Sequence, residues 1–263
     1  MVAFLSDNKS YLTDLLDNYS GKKFIIKIGT ESVNNINIAR LCDVTKYVNE
    51  RGGRTIIVTS GAKAAGETSL IKHGIDIEKE ASEEIIRKQL CCAVGQPSLI
   101  SKYSVMLEEF GYVVSQYLLP SNLSYLPALK FNLKFKNIIP VLNFNDPLEN
   151  LELENVKLLS DNDRLAATVG AVINCDLLIL LTSVGGLFEH YNEKNQTLVN
   201  MIHYMDAKLL VTDSKTNNGT GGMASKIEAC EIFKKDVLIT SPENLLDVLK
   251  FNSDKYTILR YKK

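Results

Sequence analysis

Histidine is scarce in this sequence, and cysteine lacks the spacing of a metal site. Three histidines occur, and none pairs with another at metal-ligand spacing. The five cysteines show no CxxC spacing and are odd in number, which favours buried, reduced thiols over disulfides or zinc ligands. We therefore predict no metal site built from protein ligands alone.

Neither sign of charge is in excess. The chain has 30 Lys and Arg against 31 Asp and Glu, a formal net charge of −1, and the basic residues are spread along its length. A nucleic-acid-binding protein needs a basic patch or stripe, so we predict no nucleic-acid partner. A phosphate ligand would have to be met by local positive groups.

Long apolar runs are also missing. No stretch reaches the roughly 20 apolar residues that span a bilayer, and the first residues lack the basic start and apolar core of a signal peptide. We therefore predict a cytoplasmic protein that does not enter a membrane.

Two common nucleotide-binding motifs do not occur. Residues 61–68 nearly match GxxxxGK[ST], but Glu67 stands where the phosphate-binding lysine should be, and a carboxylate there would repel phosphate. No GxGxxG follows a strand, which removes the main support for a dinucleotide site.

What the sequence does contain is an alternation of short β-branched runs with longer amphipathic segments. This pattern is typical of βαβ units and predicts an α/β fold with a mostly parallel central sheet. We predict strands at 24–28, 55–58, 112–118, 138–142, 177–181, 237–240 and 256–261. We predict helices at 36–51, 82–110, 122–136, 163–173 and 223–233, the second in two pieces because Gly95 and Pro97 interrupt it.

The 263 residues are expected to form one domain with two packed lobes. The N-terminal lobe would cover about 1–150 and the C-terminal lobe about 151–263, with the boundary in the polar stretch 148–157. We expect no additional C-terminal domain of the RNA-modification type after Lys263.

A glycine-rich segment at 219–226 is a candidate anion site. A glycine-rich turn leads into a predicted helix with Lys226 in its first turn, which would offer backbone donors, a hydroxyl and a cation to one anion. A flexible surface loop before an ordinary helix explains the same segment equally well.

Lys27 lies inside an otherwise apolar strand, where its ammonium is costly to bury without an anionic partner. The carboxyl end of such a strand is where α/β proteins bind ligands. The alternative is a lysine on an edge strand that reaches solvent.

Two polar clusters have a similar ambiguity. Residues 143–146 (NFND) follow a strand, and residues 160–163 (SDND) precede a helix. Taken singly, each is explained by turn or N-cap chemistry, because Asn and Asp are the usual residues there.

The ordered set of motifs changes this balance. Eight blocks occur in an order and spacing that resemble the glutamate 5-kinases of the amino acid kinase superfamily, over about residues 23–240. The blocks are KIGT, VTSGAKAAG, KQLCCAVGQ, IIPVLNFND, SDNDRLAA, LLILLT, GGLF and GTGGMASK.

The resemblance implies a three-layer α/β/α sandwich that transfers the γ-phosphoryl group of ATP to the side-chain carboxylate of glutamate, the first step toward proline. It implies a catalytic set of Lys27, Asp163 and Lys226, with the aspartate orienting both lysines. It implies an amino-acid-binding set of Ser60, Gly61, Asp146 and Asn162. It implies an ATP-binding set of Lys27, Gly29, Thr182, Ser183, Thr220, Gly221, Gly222, Met223 and Lys226.

The reaction fits these residue types. The acceptor carboxylate is already ionised at neutral pH and needs no general base, so catalysis reduces to alignment and charge neutralisation. Mg²⁺ would bridge the ATP oxygens, and Asp146 would receive the substrate's α-ammonium. A homo-oligomer and feedback inhibition by proline are further expectations from the resemblance.

The sequence departs from the family pattern at three places. Ser183 stands where an aspartate usually follows the LLT segment, and Phe144 replaces the glutamate of an NEND block. Residues 189–193 (EHYNE) lack the DPR that many bacterial members carry, so the nucleotide-base pocket would be built differently.

Two rival functions stay open. One is another kinase of the superfamily, acting on acetylglutamate, aspartate, carbamate, a nucleoside monophosphate or isopentenyl phosphate, which the DND and NFND blocks disfavour. The other is a non-catalytic regulatory protein that binds glutamate or proline, which Ser183 keeps open. Turnover measured with a panel of acids separates the three.

Overall fold

The structure is a computed structural model that describes residues 2–80, 82–120, 123, 126–148, 161–191, 194–213 and 220–262. The strands in this part of the chain are β1 (Lys23–Ile28), β2 (Arg54–Thr59), β3 (Val113–Leu119), β4 (Ile138–Phe144), β5 (Leu177–Leu181), β6 (Phe188–Glu189), β7 (Thr197–Leu198), β8 (Met201–His203), β9 (Val237–Thr240) and β10 (Tyr256–Arg260). The helices are α1 (Val2–Leu16), α2 (Asn35–Glu50), α3 (Ala62–Lys72), α4 (Ile77–Glu80), α5 (Glu84–Glu108), α6 (Pro127–Asn132), α7 (Asn162–Val172), α8 (Tyr204–Asp213), α9 (Thr220–Phe233) and α10 (Leu245–Leu249).

Eight of these strands form one sheet in the order β3-β4-β2-β1-β5-β9-β10-β8. The pairs are parallel except β9 with β10, while β6 and β7 form a separate antiparallel pair. β5 is buried at all five positions. A parallel strand covered on both faces needs apolar residues throughout, which is why LLILL lacks alternation.

Helices cover both faces of the sheet. Because successive strand residues point to opposite faces, Phe24, Ile26 and Ile28 pack on one side and Ile25 on the other. The first side is closed by α1, α2, α5 and α10, and the second by α6, α7, α8 and α9. The predicted α/β/α sandwich is thereby confirmed.

The predicted break in the second helix is wrong. α5 runs unbroken for 25 residues with Pro97 inside it. Pro97 and Ala93 lie on the exposed side, so water can bond the carbonyl that Pro97 leaves without a helical donor. Gly95 faces inward, where a Cβ would lie 1.9 Å from the Ala62 carbonyl oxygen, so it permits close packing of α5 on α3 instead of ending the helix.

Other element boundaries also differ from expectation. α9 begins at Thr220, so two glycines lie within its first turn and Lys226 lies in its second. The helix expected at 122–136 is reduced to the six residues of α6 among the described positions. α1, α3, α4, α8, α10 and the short strands β6 to β8 were not predicted.

Several expectations fall on positions outside the described residues. These include Gly219, Ser160 and most of the proposed lobe boundary, so the division into lobes stays a prediction. The five cysteines are all free and buried. Within the described ranges, no helix is both long enough and apolar enough to cross a membrane.

Candidate active site

The site forms where the strand order reverses. β1 is paired with β2 on one side and β5 on the other, all three parallel. Their carboxyl ends therefore lie at one edge of the sheet, and a crevice opens where connections lead away in opposite directions. Lys27 is the last residue but one of β1, and Thr182 directly follows β5.

Two lysines distant in sequence meet at one aspartate. Lys27 Nζ lies 2.6 Å from Asp163 Oδ1, and Lys226 Nζ donates a 2.8 Å hydrogen bond to Asp163 Oδ2. Lys27 comes from the central strand, Asp163 from the first turn of α7 and Lys226 from α9.

All three side chains are buried, at 10%, 3% and 9% exposure for Lys27, Asp163 and Lys226. Burial alone would raise the pKa of Asp163, but the two ammonium groups outweigh it and lower the pKa below its usual value. The carboxylate is therefore ionised. The two ammonium groups and the one carboxylate together carry one net positive charge. Such a surplus in a buried place favours a bound anion.

The start of α7 orients this carboxylate. Asp161 is the N-cap, and its Oδ1 accepts a 2.9 Å hydrogen bond from the Asp163 backbone N–H. Ser225 donates to Asp161 Oδ2 in a short contact and lies 3.3 Å from Asp163 Oδ2. The capping alternative for the DND block is thus correct for Asp161, whereas Asp163 binds the lysines.

A cavity of about 620 Å³ opens beside the cluster. Its volume is that of a small-molecule site. Seven of the residues implied in ATP binding line it: Lys27, Gly29, Thr182, Ser183, Gly222, Met223 and Lys226. Thr220 and Gly221 are the first two residues of α9, immediately before this group.

Gly29 lies beside the ammonium group of Lys27. A Cβ there would lie 3.4 Å from Lys27 Nζ, in the approach to the ammonium group. Glycine leaves that approach open for a phosphate oxygen and for the backbone N–H.

The residues implied in amino-acid binding form a second polar group outside the cavity lining. Asn162 Nδ2 donates to Ser60 Oγ at 2.6 Å and lies 3.3 Å from Asn143 Oδ1. Asn143 in turn donates to Gln96 Oε1 at 2.9 Å. Asn162 Oδ1 is buried and accepts no hydrogen bond from the described residues, so it can receive a donor from a ligand.

Gly61 and Asp146 are the other two residues implied in amino-acid binding. Gly61 is the N-cap of α3 at φ +100°, a left-handed conformation that favours glycine. Asp146 follows β4 and forms an ion pair with Lys88 of α5, with 3.4 Å between Nζ and Oδ1. Burial raises the pKa of Asp146, and Lys88 partly opposes that rise.

The family departures fall in different surroundings. Ser183 is exposed and lines the cavity. Phe144 is buried at 1% exposure in the apolar core, on the opposite side of β4 from Asn143. His190 and Tyr191, in the segment without DPR, line the cavity with Phe188.

Sequence reasoning missed several of these residues although a signal existed. Lys88 and Gln96 belong to the KQLCCAVGQ block, and Asp161 belongs to the DND block, but no role was assigned to them. Thr30 and Phe188 lie in the KIGT and GGLF blocks and line the cavity. Leu210 and Val211 also line it, and no motif marked them.

No group of three or more His, Cys, Asp or Glu side chains that could hold a metal ion occurs among the described residues. Asp161 and Glu31 are the cavity-lining carboxylates besides Asp163 in this part of the chain. This sparse donor set suits Mg²⁺ carried in with a nucleotide, because Mg²⁺ commonly takes one or two carboxylates together with substrate phosphates and water.

Comparisons with known proteins identify the relatives of this chain. The amino acid kinase family matches residues 22–238. The chain is 31% identical over 252 residues to the glutamate 5-kinase of Lactococcus lactis subsp. lactis, which covers 87% of this chain and 90% of the relative. It is 32% identical over 233 residues to the glutamate 5-kinase of Alkaliphilus oremlandii, covering 81% and 84%.

Among solved structures, carbamate kinase from Giardia lamblia bound to AMP-PNP is similar in fold. The TM-score is 0.68 over 93% of this chain and 100% of that chain, at 15% sequence identity. At this identity the likeness shows the fold alone.

Proposed function

Because the chain belongs to the amino acid kinase family, and within it to the glutamate 5-kinases, we propose that it phosphorylates the side-chain carboxylate of glutamate with ATP. The product is glutamyl 5-phosphate, on the route to proline. The observation that carries the proposal is the pair of buried lysines that share Asp163 beside the cavity.

The proposed step joins two anions. An oxygen of the acceptor carboxylate forms a bond to the γ-phosphorus while the bond from that phosphorus to the β,γ-bridging oxygen breaks, and ADP leaves with the bond's electrons. No proton moves, because the carboxylate is ionised at neutral pH. The barrier is therefore largely charge repulsion and misalignment, which positioned cations reduce.

Each side chain then has a task. Lys27 and Lys226 bind oxygens of the transferring phosphoryl group, and Asp163 keeps both ammonium groups in place between turnovers. Asn162 and Ser60 hold the acceptor end of the amino acid, and Asp146 receives its α-ammonium. Seven residues of the ATP-binding set line the cavity between β1, β5 and α9.

Mg²⁺ bound to the nucleotide supplies further charge neutralisation at the phosphates. Asp161, the N-cap of α7, is the residue that would hold it, directly or through water. Ser225 already fixes the orientation of this carboxylate.

The reaction fits a reducing compartment such as the cytoplasm, since five buried free thiols persist there without oxidation. Proline carries the same α-carboxylate and a ring ammonium, so it can compete for the amino-acid group as a feedback inhibitor. Rates measured with added proline test this inhibition. The mass of the protein in solution tests the expected homo-oligomer.

Purified protein with ATP and Mg²⁺ tests the activity directly. Initial rates of ADP release are measured with glutamate, aspartate, acetylglutamate and carbamate, and the acyl phosphate is trapped with hydroxylamine. We expect release that depends on glutamate and is absent with the other acids. Turnover with another acid instead, or with none, overturns the proposal; the latter favours a regulatory protein.

A further inference from the structure

Asp146 is not alone at the amino-acid end of the site. Lys88 Nζ lies 3.4 Å from Asp146 Oδ1, and the two side chains are 33% and 18% exposed. The pair is therefore shielded enough for its charges to interact strongly and open enough for a ligand to reach both.

The pair is complementary in charge to an α-amino acid. An α-amino acid carries an ammonium and a carboxylate on one carbon, so it can bind a lysine and an aspartate that lie side by side. If Asp146 alone served the substrate, its attraction for the ammonium would be weakened by the adjacent Lys88 charge. A carboxylate bound to Lys88 removes that conflict.

Lys88 is also held in a rigid element. It lies on α5, the helix whose Gly95 packs against the Ala62 carbonyl, and eight residues before Gln96 on a similar face. Gln96 bonds Asn143, which bonds Asn162, next in the chain to Asp163. One helix thus supports both the residues proposed to hold the acceptor carboxylate and the residue proposed to hold the α-ammonium.

We propose that Lys88 binds the α-carboxylate of the substrate while Asp146 binds its α-ammonium, so that the two side chains together select an α-amino acid. This assignment rests on the proposed function and adds to it a residue that determines specificity. Lys88 does not take part in the phosphoryl transfer.

A merely structural role for Lys88 makes a different prediction. If Lys88 only held Asp146 in place, its loss would weaken the binding of the ammonium. If it binds the carboxylate, its loss weakens the binding of that group and leaves the ammonium contact.

Two analogues of glutamate separate these roles. 4-Aminobutyrate lacks the α-carboxylate and glutarate lacks the α-ammonium. Their inhibition constants against glutamate can be measured without turnover of the analogues. The variants are Lys88→Met, Lys88→Gln, Lys88→Arg and Asp146→Asn. The control is Lys46→Met, which removes another lysine of an ion pair, with Glu50 near the C-terminal end of α2.

In Lys88→Met we expect kcat/KM for glutamate to fall by about 10- to 100-fold, the value of a charge-assisted hydrogen bond. Most of the fall is in KM. The binding of glutarate should weaken by a similar factor, whereas the binding of 4-aminobutyrate should not. Asp146→Asn should weaken the binding of glutamate and of 4-aminobutyrate but not the binding of glutarate. Lys88→Arg should retain most of the affinity, and Lys46→Met all of it.

Three outcomes overturn the assignment. An unchanged KM in Lys88→Met removes the residue from the site, and so does an unchanged KM in Lys88→Gln if the first variant fails to fold. A loss of 4-aminobutyrate affinity without a loss of glutarate affinity shows that Lys88 only positions Asp146. Wild-type protein that releases no ADP with glutamate overturns the proposed function, and this assignment falls with it.

Discussion

Lys27 Nζ lies 2.6 Å from Oδ1 of Asp163, although one comes from the central strand and the other from a helix on the sheet's second face. Both side chains are almost fully buried. An ammonium in such a place is stable only beside an anion. The pair therefore couples the stability of the fold to the charge of the candidate active site.

Replacement of Asp163 tests this coupling. Asp163→Asn leaves two buried ammonium groups without their shared anion, so we expect a loss of about 3–5 kcal/mol in the free energy of unfolding. The rate of phosphoryl transfer should fall with it. Denaturant unfolding at neutral pH measures the first effect and ADP release the second.

The matched control is Asp17→Asn, which breaks the exposed pair with Lys22 and should change stability by less than about 1 kcal/mol. The pH dependence has a definite sign. Because the folded pKa of Asp163 is lowered, its stabilisation is present above the ordinary value of 3.8 and is lost as the pH falls through the folded value. An equal effect of both variants would contradict the structure.

Replacement of Lys226 tests its place in the reaction. Lys226→Ala removes the cation that we propose binds the transferring group, so kcat should fall by about 10²- to 10³-fold while the protein stays folded. The control is Lys208→Ala, which removes an exposed lysine whose Nζ lies 3.8 Å from Glu231 Oε2 and should leave kcat unchanged. A nearly normal kcat in Lys226→Ala would exclude this lysine from the mechanism.

The raised pKa of Asp146 predicts an acid limb in substrate affinity. Asp146 must be ionised to bind an ammonium, and burial makes it protonate at a higher pH than an ordinary aspartate. KM for glutamate should therefore rise as the pH falls from neutral, with a smaller change in kcat. Asp163 contributes nothing to this limb because its pKa is lowered.

Two variants check the origin of that limb. Asp146→Asn should have a high KM with little remaining pH dependence. Lys88→Met should move the limb to higher pH, because Lys88 lowers the pKa of Asp146. A limb that stays in place in both variants belongs to the substrate instead.

The crossing of α3 and α5 predicts that Gly95 cannot be enlarged. In Gly95→Ala the new Cβ would lie 1.9 Å from the Ala62 carbonyl oxygen and 2.4 Å from the Gly66 amide nitrogen, so the backbones must separate. We expect a loss of about 1–3 kcal/mol or more, measured by thermal unfolding. Ser98→Ala, at an exposed position of the same helix, should be close to neutral; equal melting temperatures would contradict this packing.

Much of the fold was accessible from the sequence. The strand at 177–181 is a continuous apolar run, and the strand at 24–28 is apolar except for Lys27; such runs are required where a parallel strand is buried on both faces. The helix at α5 was placed correctly but its continuity was not, because Gly95 is equally consistent with a helix break and with a close helix crossing. Only the neighbouring backbone of α3 distinguishes the two.

The sequence by itself determined the alternation of elements, the family and the types of residue available for a phosphate, because these depend on local pattern and on ordered motifs. Tertiary structure decided which of the polar residues meet. Lys27 could have been an edge lysine and the DND block only a cap, until the sheet order placed β1 at its centre and α7 above it. The pairing of Lys88 with Asp146 was likewise beyond local pattern, since contacts between distant segments depend on how helices and strands pack.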